Sequence, residues 1–124
     1  MLAIPVVVLT LALVPTVGFG GDGDSITTRT TSSSMESVFV EVHNADNARR
    51  TFRVFAIGAA SETPAGGVRL LPAEQHVIAG GETKRVLAVF QNLRPGEKRE
   101  ARVCYAPINL PADRTCQSFA IERI

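Results

Sequence analysis

Residues 37–44 read Ser-Val-Phe-Val-Glu-Val-His-Asn. Successive side chains of an extended chain alternate between faces, so Val38, Val40 and Val42 share one side and Glu41 and His43 the other. A period of two marks a strand with one buried face. The next residues, Asn44-Ala45-Asp46-Asn47, form a turn, because Asn and Asp side chains bond to nearby main chain and accept left-handed conformations. Thr51–Ile57 is the second strand and ends at Gly58, and residues 59–67 form a loop through Pro64, Gly66 and Gly67. Val68–Leu71 is a short strand closed by Pro72. Another begins near His76-Val77-Ile78 and turns at Gly80-Gly81. Thr83–Gln91 is the longest apolar strand, Leu93-Arg94-Pro95-Gly96 turns again, and Glu100–Ala106 and Cys116–Ile124 complete the set.

Short strands separated by closely spaced turn signals, with no capped window of 3.6-residue period, predict an all-β fold. Two packed sheets give such strands somewhere to bury their inward faces. The expected architecture is an immunoglobulin-like antiparallel β-sandwich of about seven strands.

The chain has 124 residues, enough for one domain. Thirteen Lys and Arg against twelve Asp and Glu leave a net charge of +1, without the basic footprint of a nucleic-acid partner. The first charged side chain is Asp22, and residues 2–14, LAIPVVVLTLALV, have the length of a signal-peptide apolar core. Residues 1–20 are therefore expected to be a signal peptide, the alternative being a membrane anchor over residues 2–19. Residues 21–36 read as a flexible Gly/Ser/Thr-rich linker with room for a first strand, and residues 37–124 as the sandwich domain. Asp22 and Asp24 lack the further ligands of a calcium loop.

Eleven residues lie between Cys104 and Cys116, the only thiols. A hairpin connection brings their strands together, so a disulfide is expected, and with it an oxidising compartment: the periplasm or the exterior. His43, His76, Cys104 and Cys116 have no metal-ligand spacing. No nucleophile elbow, phosphate-cradling glycine loop or Ser-His pairing is found, so neither an enzyme, a cofactor nor a small-molecule substrate is implied. Arg49, Arg50 and Arg53, and Lys98, Arg99 and Arg102, have acidic neighbours and read as solvated surface.

From strand to strand the chain resembles the N-terminal domain of periplasmic pilus-assembly chaperones. The matching pieces are SVFVEVHN (37–44), TFRVFAI (51–57), LLPAEQHVIAGGETKRVLAVF (70–90) and LRPGEKREARVCYAPI (93–108), with Glu100 at the family's Glu position. The resemblance implies a periplasmic chaperone that binds exported subunits, pilus or other β-rich chains, by strand addition, with an outer-membrane usher as a further partner. It implies that Arg29 and Arg123 anchor the subunit's terminal carboxylate. It also implies that Gln117, Phe119 and Ile121 are the donor side chains of the last strand. A disulfide joining the last two strands is a feature of one branch, and a second β domain, for which this length leaves no room, follows in the family. Two other readings suit a lone domain: a structural or surface-anchored β-sandwich module, and an accessory protein of the kind that restrains curli subunits from forming amyloid.

Overall fold

A computed structural model describes residues 25–124; the expected signal peptide or anchor lies outside them, as do Asp22 and Asp24. Eight strands follow in order: β1 (Ile26–Thr31), β2 (Glu36–His43), β3 (Arg50–Gly58), β4 (Val68–Leu71), β5 (Gln75–Ile78), β6 (Thr83–Phe90), β7 (Lys98–Pro107) and β8 (Thr115–Arg123). They form a five-stranded sheet in the order β1-β8-β7-β3-β5 and a three-stranded sheet in the order β2-β6-β4. Every pairing is antiparallel except that of β1 with β8. The chain is an immunoglobulin-like β-sandwich.

The alternation in β2 builds the core. Val38, Val40 and Val42 are buried, and facing them across the sandwich stand Val54 of β3, Val103 of β7, and Phe119 and Ile121 of β8. Phe90 of β6 meets Phe119 edge-on, with ring centroids 6.3 Å apart, a geometry that sets the positive ring edge on the negative face.

The segment after the β3–β4 loop serves both sheets. β4 pairs with β6 and β5 pairs with β3, and Pro72, joined to Leu71 by a cis peptide, stands between them. Proline has no N–H to give a ladder, so pairing with β6 stops there and the chain passes to the other sheet.

β1 lies inside the stretch read as a linker. Its residues, Ile-Thr-Thr-Arg-Thr-Thr, are mostly exposed and show no buried apolar alternation. What holds them is main-chain pairing to β8, from Ile26 opposite Ser118 to Thr31 opposite Arg123, and the β-branched threonines suit an extended backbone.

Asn44 is the buried polar residue that fixes one end of the sandwich. It is 0% exposed. Its Nδ2 donates to the carbonyls of Ala48 and Ile78, both at 2.9 Å, and its Oδ1 accepts from the Asp46 N–H at 3.0 Å. The β2–β3 turn is thereby tied to the β5–β6 turn. The approach is close enough that a Cβ on Gly80 would sit 2.5 Å from the carbonyl carbon of Asn47, so only glycine fits there. Asn44→Ala removes three bonds at a fully buried position, and is expected to lower stability by about 2–3 kcal/mol in urea titration. His43→Ala, one residue away on the exposed face, is expected to change it by less than about 1 kcal/mol. Equal effects at the two positions would contradict the role given to Asn44.

Candidate functional site

An interface built by strand addition needs an unpaired edge, and the two sheets have four. β4 and β5 supply edges of four residues each, interrupted by Pro72 between them. β1 supplies one of six residues and β2 one of eight. Among the described residues, β2 has no strand alongside its outer edge.

The direction of each main-chain group on β2 follows from its pairing. The Asn44 N–H donates to the Glu82 carbonyl at 2.9 Å, and the register continues this pair to Val42 with Lys84, Val40 with Val86 and Val38 with Ala88. In an antiparallel pair bonded residues alternate with non-bonded ones, so Val38, Val40 and Val42 aim their main-chain groups at β6. Ser37, Phe39, Glu41 and His43 aim theirs outward. Phe39, 57% exposed, lies in the middle of this edge with the Arg85 guanidinium 4.9 Å from its ring centroid.

The structure separates the donor positions named from sequence. Phe119 and Ile121 face the chain's own core, and Gln117 is exposed, its Nε2 donating to Thr27 Oγ1 at 3.2 Å. β1 runs along the outer edge of β8 from Ser118 to Arg123, leaving only Thr115–Gln117 without a strand on that edge among the described residues. An opening of about 260 Å³ lies at that place, between the bare edge of β2 and the start of β8. Val40, Val103 and Tyr105 form its floor, and Glu41, Thr115 and Gln117 are on its rim.

Arg29 and Arg123 fall on one side of the β1–β8 pair. Arg29 is opposite Ile121 and Arg123 opposite Thr31, an offset of two residues or roughly 7 Å along the strands. Arg29 Nη1 stands 3.5 Å from a Glu36 carboxylate oxygen. Arg123 Nη1 donates to the Leu93 carbonyl at 2.8 Å, and its Nε is buried without a partner. Glu100, at the family's Glu position, is on the surface with its carboxylate 3.7 Å from Lys98.

Two features were not read from the sequence. Ile108 and Leu110 are large exposed apolar residues in the β7–β8 connection, and their spacing of two around Asn109 is the signal that marks them. The second is an ion-pair clamp. Arg114, just before β8, grips both carboxylate oxygens of Glu62 in the β3–β4 loop, at 2.6 and 2.9 Å, while Arg102 reaches the same carboxylate at 3.3 Å. The Arg114 hydrogen bonds, with the single one from Arg102, hold the Glu62 carboxyl at about 2, below its ordinary 4.5. A lowered carboxylate pKa stabilises the fold above the unfolded value, and the effect is lost as pH falls from 4.5 toward 2. Glu62→Gln is therefore expected to speed hydrogen exchange in residues 108–114 at pH 7 and to change little at pH 2. Equal exchange in both proteins at pH 7 would refute the clamp.

Cys104 and Cys116 are joined in a disulfide between directly opposed positions of β7 and β8. The Cys104→Ser/Cys116→Ser double variant is expected to lose about 2–3 kcal/mol in a denaturant titration, the chain-entropy value for a loop of this size. No loss would contradict that account.

His43 Nδ1 lies 2.8 Å from Thr83 Oγ1, and His76 is buried with Nε2 2.8 Å from the Ala73 carbonyl. Among the described residues no three His, Cys, Asp or Glu side chains gather in metal-binding geometry.

Compared by sequence, the chain matches no family model and no curated protein. Its fold is similar to that of the E. coli chaperone DraB, with TM-score 0.59 and 14% identity over 79% of this chain and 52% of that one. It is similar to the Salmonella enterica SafB chaperone, solved in complex with the SafA pilin, with TM-score 0.58 and 14% identity over 82% of this chain and 52% of that one. A PapD-like domain of human CEP192 matches with TM-score 0.55 and 14% identity, over 80% of both chains. The chain thus spans about half the length of the two bacterial chaperones. Its structural neighbours are chaperones and immunoglobulin-like domains rather than enzymes.

Proposed function

We propose that the chain is a chaperone-like protein of the periplasm that binds exported β-rich subunits, pilus or other aggregation-prone chains, by strand addition. The observation that carries this reading is the sandwich shared with DraB and SafB, the latter solved with a pilin. Two features support the compartment: the Cys104–Cys116 disulfide, which persists under oxidising conditions, and a leading segment with no charged residue before Asp22. The long edge of β2, which has no strand beside it among the described residues, supports the mode of binding, since main-chain groups held in register pair with any extended chain. An outer-membrane usher is the further partner of this reading.

Arg29 and Arg123 are the proposed anchor for a subunit's terminal carboxylate. Their shared side of the β1–β8 pair and the unpartnered Nε of Arg123 support it. Glu36 already neutralises part of Arg29, so an incoming carboxylate competes with it. A second reading, a structural or surface-anchored module or an amyloid-restraining accessory, is favoured by one observation: β8 is held in the chain's own core and covered by β1.

Co-export with a β subunit whose own sandwich lacks a strand tests the proposal. A soluble complex that survives affinity purification is expected. The Arg29→Ala/Arg123→Ala double variant is expected to reduce its yield roughly tenfold, in keeping with lost charge-assisted bonds. A subunit that aggregates equally with and without the chain would overturn the chaperone reading. An unchanged yield with the double variant would remove the anchor alone.

A further inference from the structure

The position of β1 raises the question of which edge meets the partner. Donation of β8 would place Phe119 and Ile121 in another molecule, yet both side chains fill this core and β1 occupies the strand's outer edge from Ser118 to Arg123. Among the described residues the outer edge of β2 is under no such constraint. Its outward main-chain groups, at Ser37, Phe39, Glu41 and His43, lie side by side along eight residues with no proline or bulge.

We infer that this domain receives a strand rather than donating one: an extended segment of the partner pairs with the outer edge of β2 and sets an apolar side chain into the opening between Val40 and Gln117. This inference rests on the chaperone-like reading. The pairing rule supplies the geometry. A partner residue opposite Val40 points inward, into a space of about 260 Å³ floored by Val40, Val103 and Tyr105. An apolar cavity of about 150 Å³ already holds benzene, so the opening takes a Leu- or Phe-sized group. The partner's neighbouring residues point outward, and the one opposite Phe39 lies against that exposed ring.

Two other occupants fit less well. A second copy of the chain pairing through its own β2 would bring Val38, Val40 and Val42, but those side chains are already committed to their own core and leave the opening empty. Residues 20–24, Gly-Gly-Asp-Gly-Asp, precede Ser25 on the rim and carry no apolar side chain to fill it. The occupant is therefore a segment of another chain with apolar residues at alternate positions and a large one at the centre.

A fluorescein-labelled peptide of alternating threonine and valine, with leucine at the central apolar position, is the probe, and fluorescence anisotropy with the full chain is the readout. Glu41→Pro removes an N–H that serves no bond within the sandwich, and edge strands tolerate such a proline. It is expected to weaken binding at least about tenfold, equivalent to 1.4 kcal/mol. Val77→Pro is the matched change on the edge of β5, because the Val54 N–H bond to the Glu74 carbonyl sets that strand's alternation. It is expected to leave binding within about twofold. Gln117→Phe fills the opening without touching the β2 ladder, and should weaken binding if β2 receives the strand but strengthen it if β8 donates. N-methylation of alternate peptide amides should abolish binding in one phase of methylation and spare it in the other.

Unchanged affinity in Glu41→Pro with its far-UV spectrum intact, or tighter binding in Gln117→Phe, would overturn the inference. So would a dimer abolished by Glu41→Pro, or tenfold tighter binding by a chain beginning at Ser25. If instead the subunit complex of the preceding section never forms, the chaperone reading itself fails, and the two failures are distinct.

Discussion

The arrangement of this sandwich depends on one strand being held from two sides. β8 gives Phe119 and Ile121 to the core and its outer main-chain edge to β1. Burying two large side chains and completing a ladder of six residue pairs ties β8 to β1, the first described strand. With β8 closed, the five-stranded sheet ends at β1, and the smaller sheet is left with β2 as its longest uncovered edge among the described residues. The opening beside Val40 lies where, among the described residues, β8 has no strand on its outer edge, at Thr115–Gln117.

The rest of the fold brings the ends of this seam to a fixed geometry. Asn44 fastens the end of β2 to its own turn through the Ala48 carbonyl and to the end of β5 through the Ile78 carbonyl, so the edge strand is fixed where its own ladder ends. The disulfide fixes β7 to β8 across directly opposed positions, and the Glu62–Arg114 pair ties down the connection that carries Ile108 and Leu110. Together these ties restrict the end of β2, the β7–β8 connection and the start of β8.

The sandwich was legible in the sequence wherever burial leaves a period of two. β2 shows this with three valines, and the Asn44 turn and the Cys104–Cys116 hairpin depend on contacts close along the chain. β1 was not legible as a definite strand, because its hold on β8 is made by main chain and leaves no apolar signature in Thr27, Thr28 and Thr30. The candidate site was legible only in part. Phe119 and Ile121 stand out as apolar residues on a last strand, but sequence alone does not say whether such residues face the chain's own core or another molecule. The clamp at Glu62 joins residues 40 and 52 positions apart, and no local pattern announces it.

The claim that β2 is a receiving edge makes a direct statement about individual amide protons. By its pairing, the N–H groups of Val38, Val40 and Val42 are bonded to β6, while those of Phe39 and Glu41 face outward. Hydrogen exchange of the full chain, followed residue by residue by NMR, measures this. The account predicts strong protection at Val38, Val40 and Val42, fast exchange at Phe39 and Glu41, and new protection at those two amides when a partner strand is added. Protection at Phe39 and Glu41 in the chain alone, or new protection at Thr115–Gln117 with β2 unchanged, would contradict it.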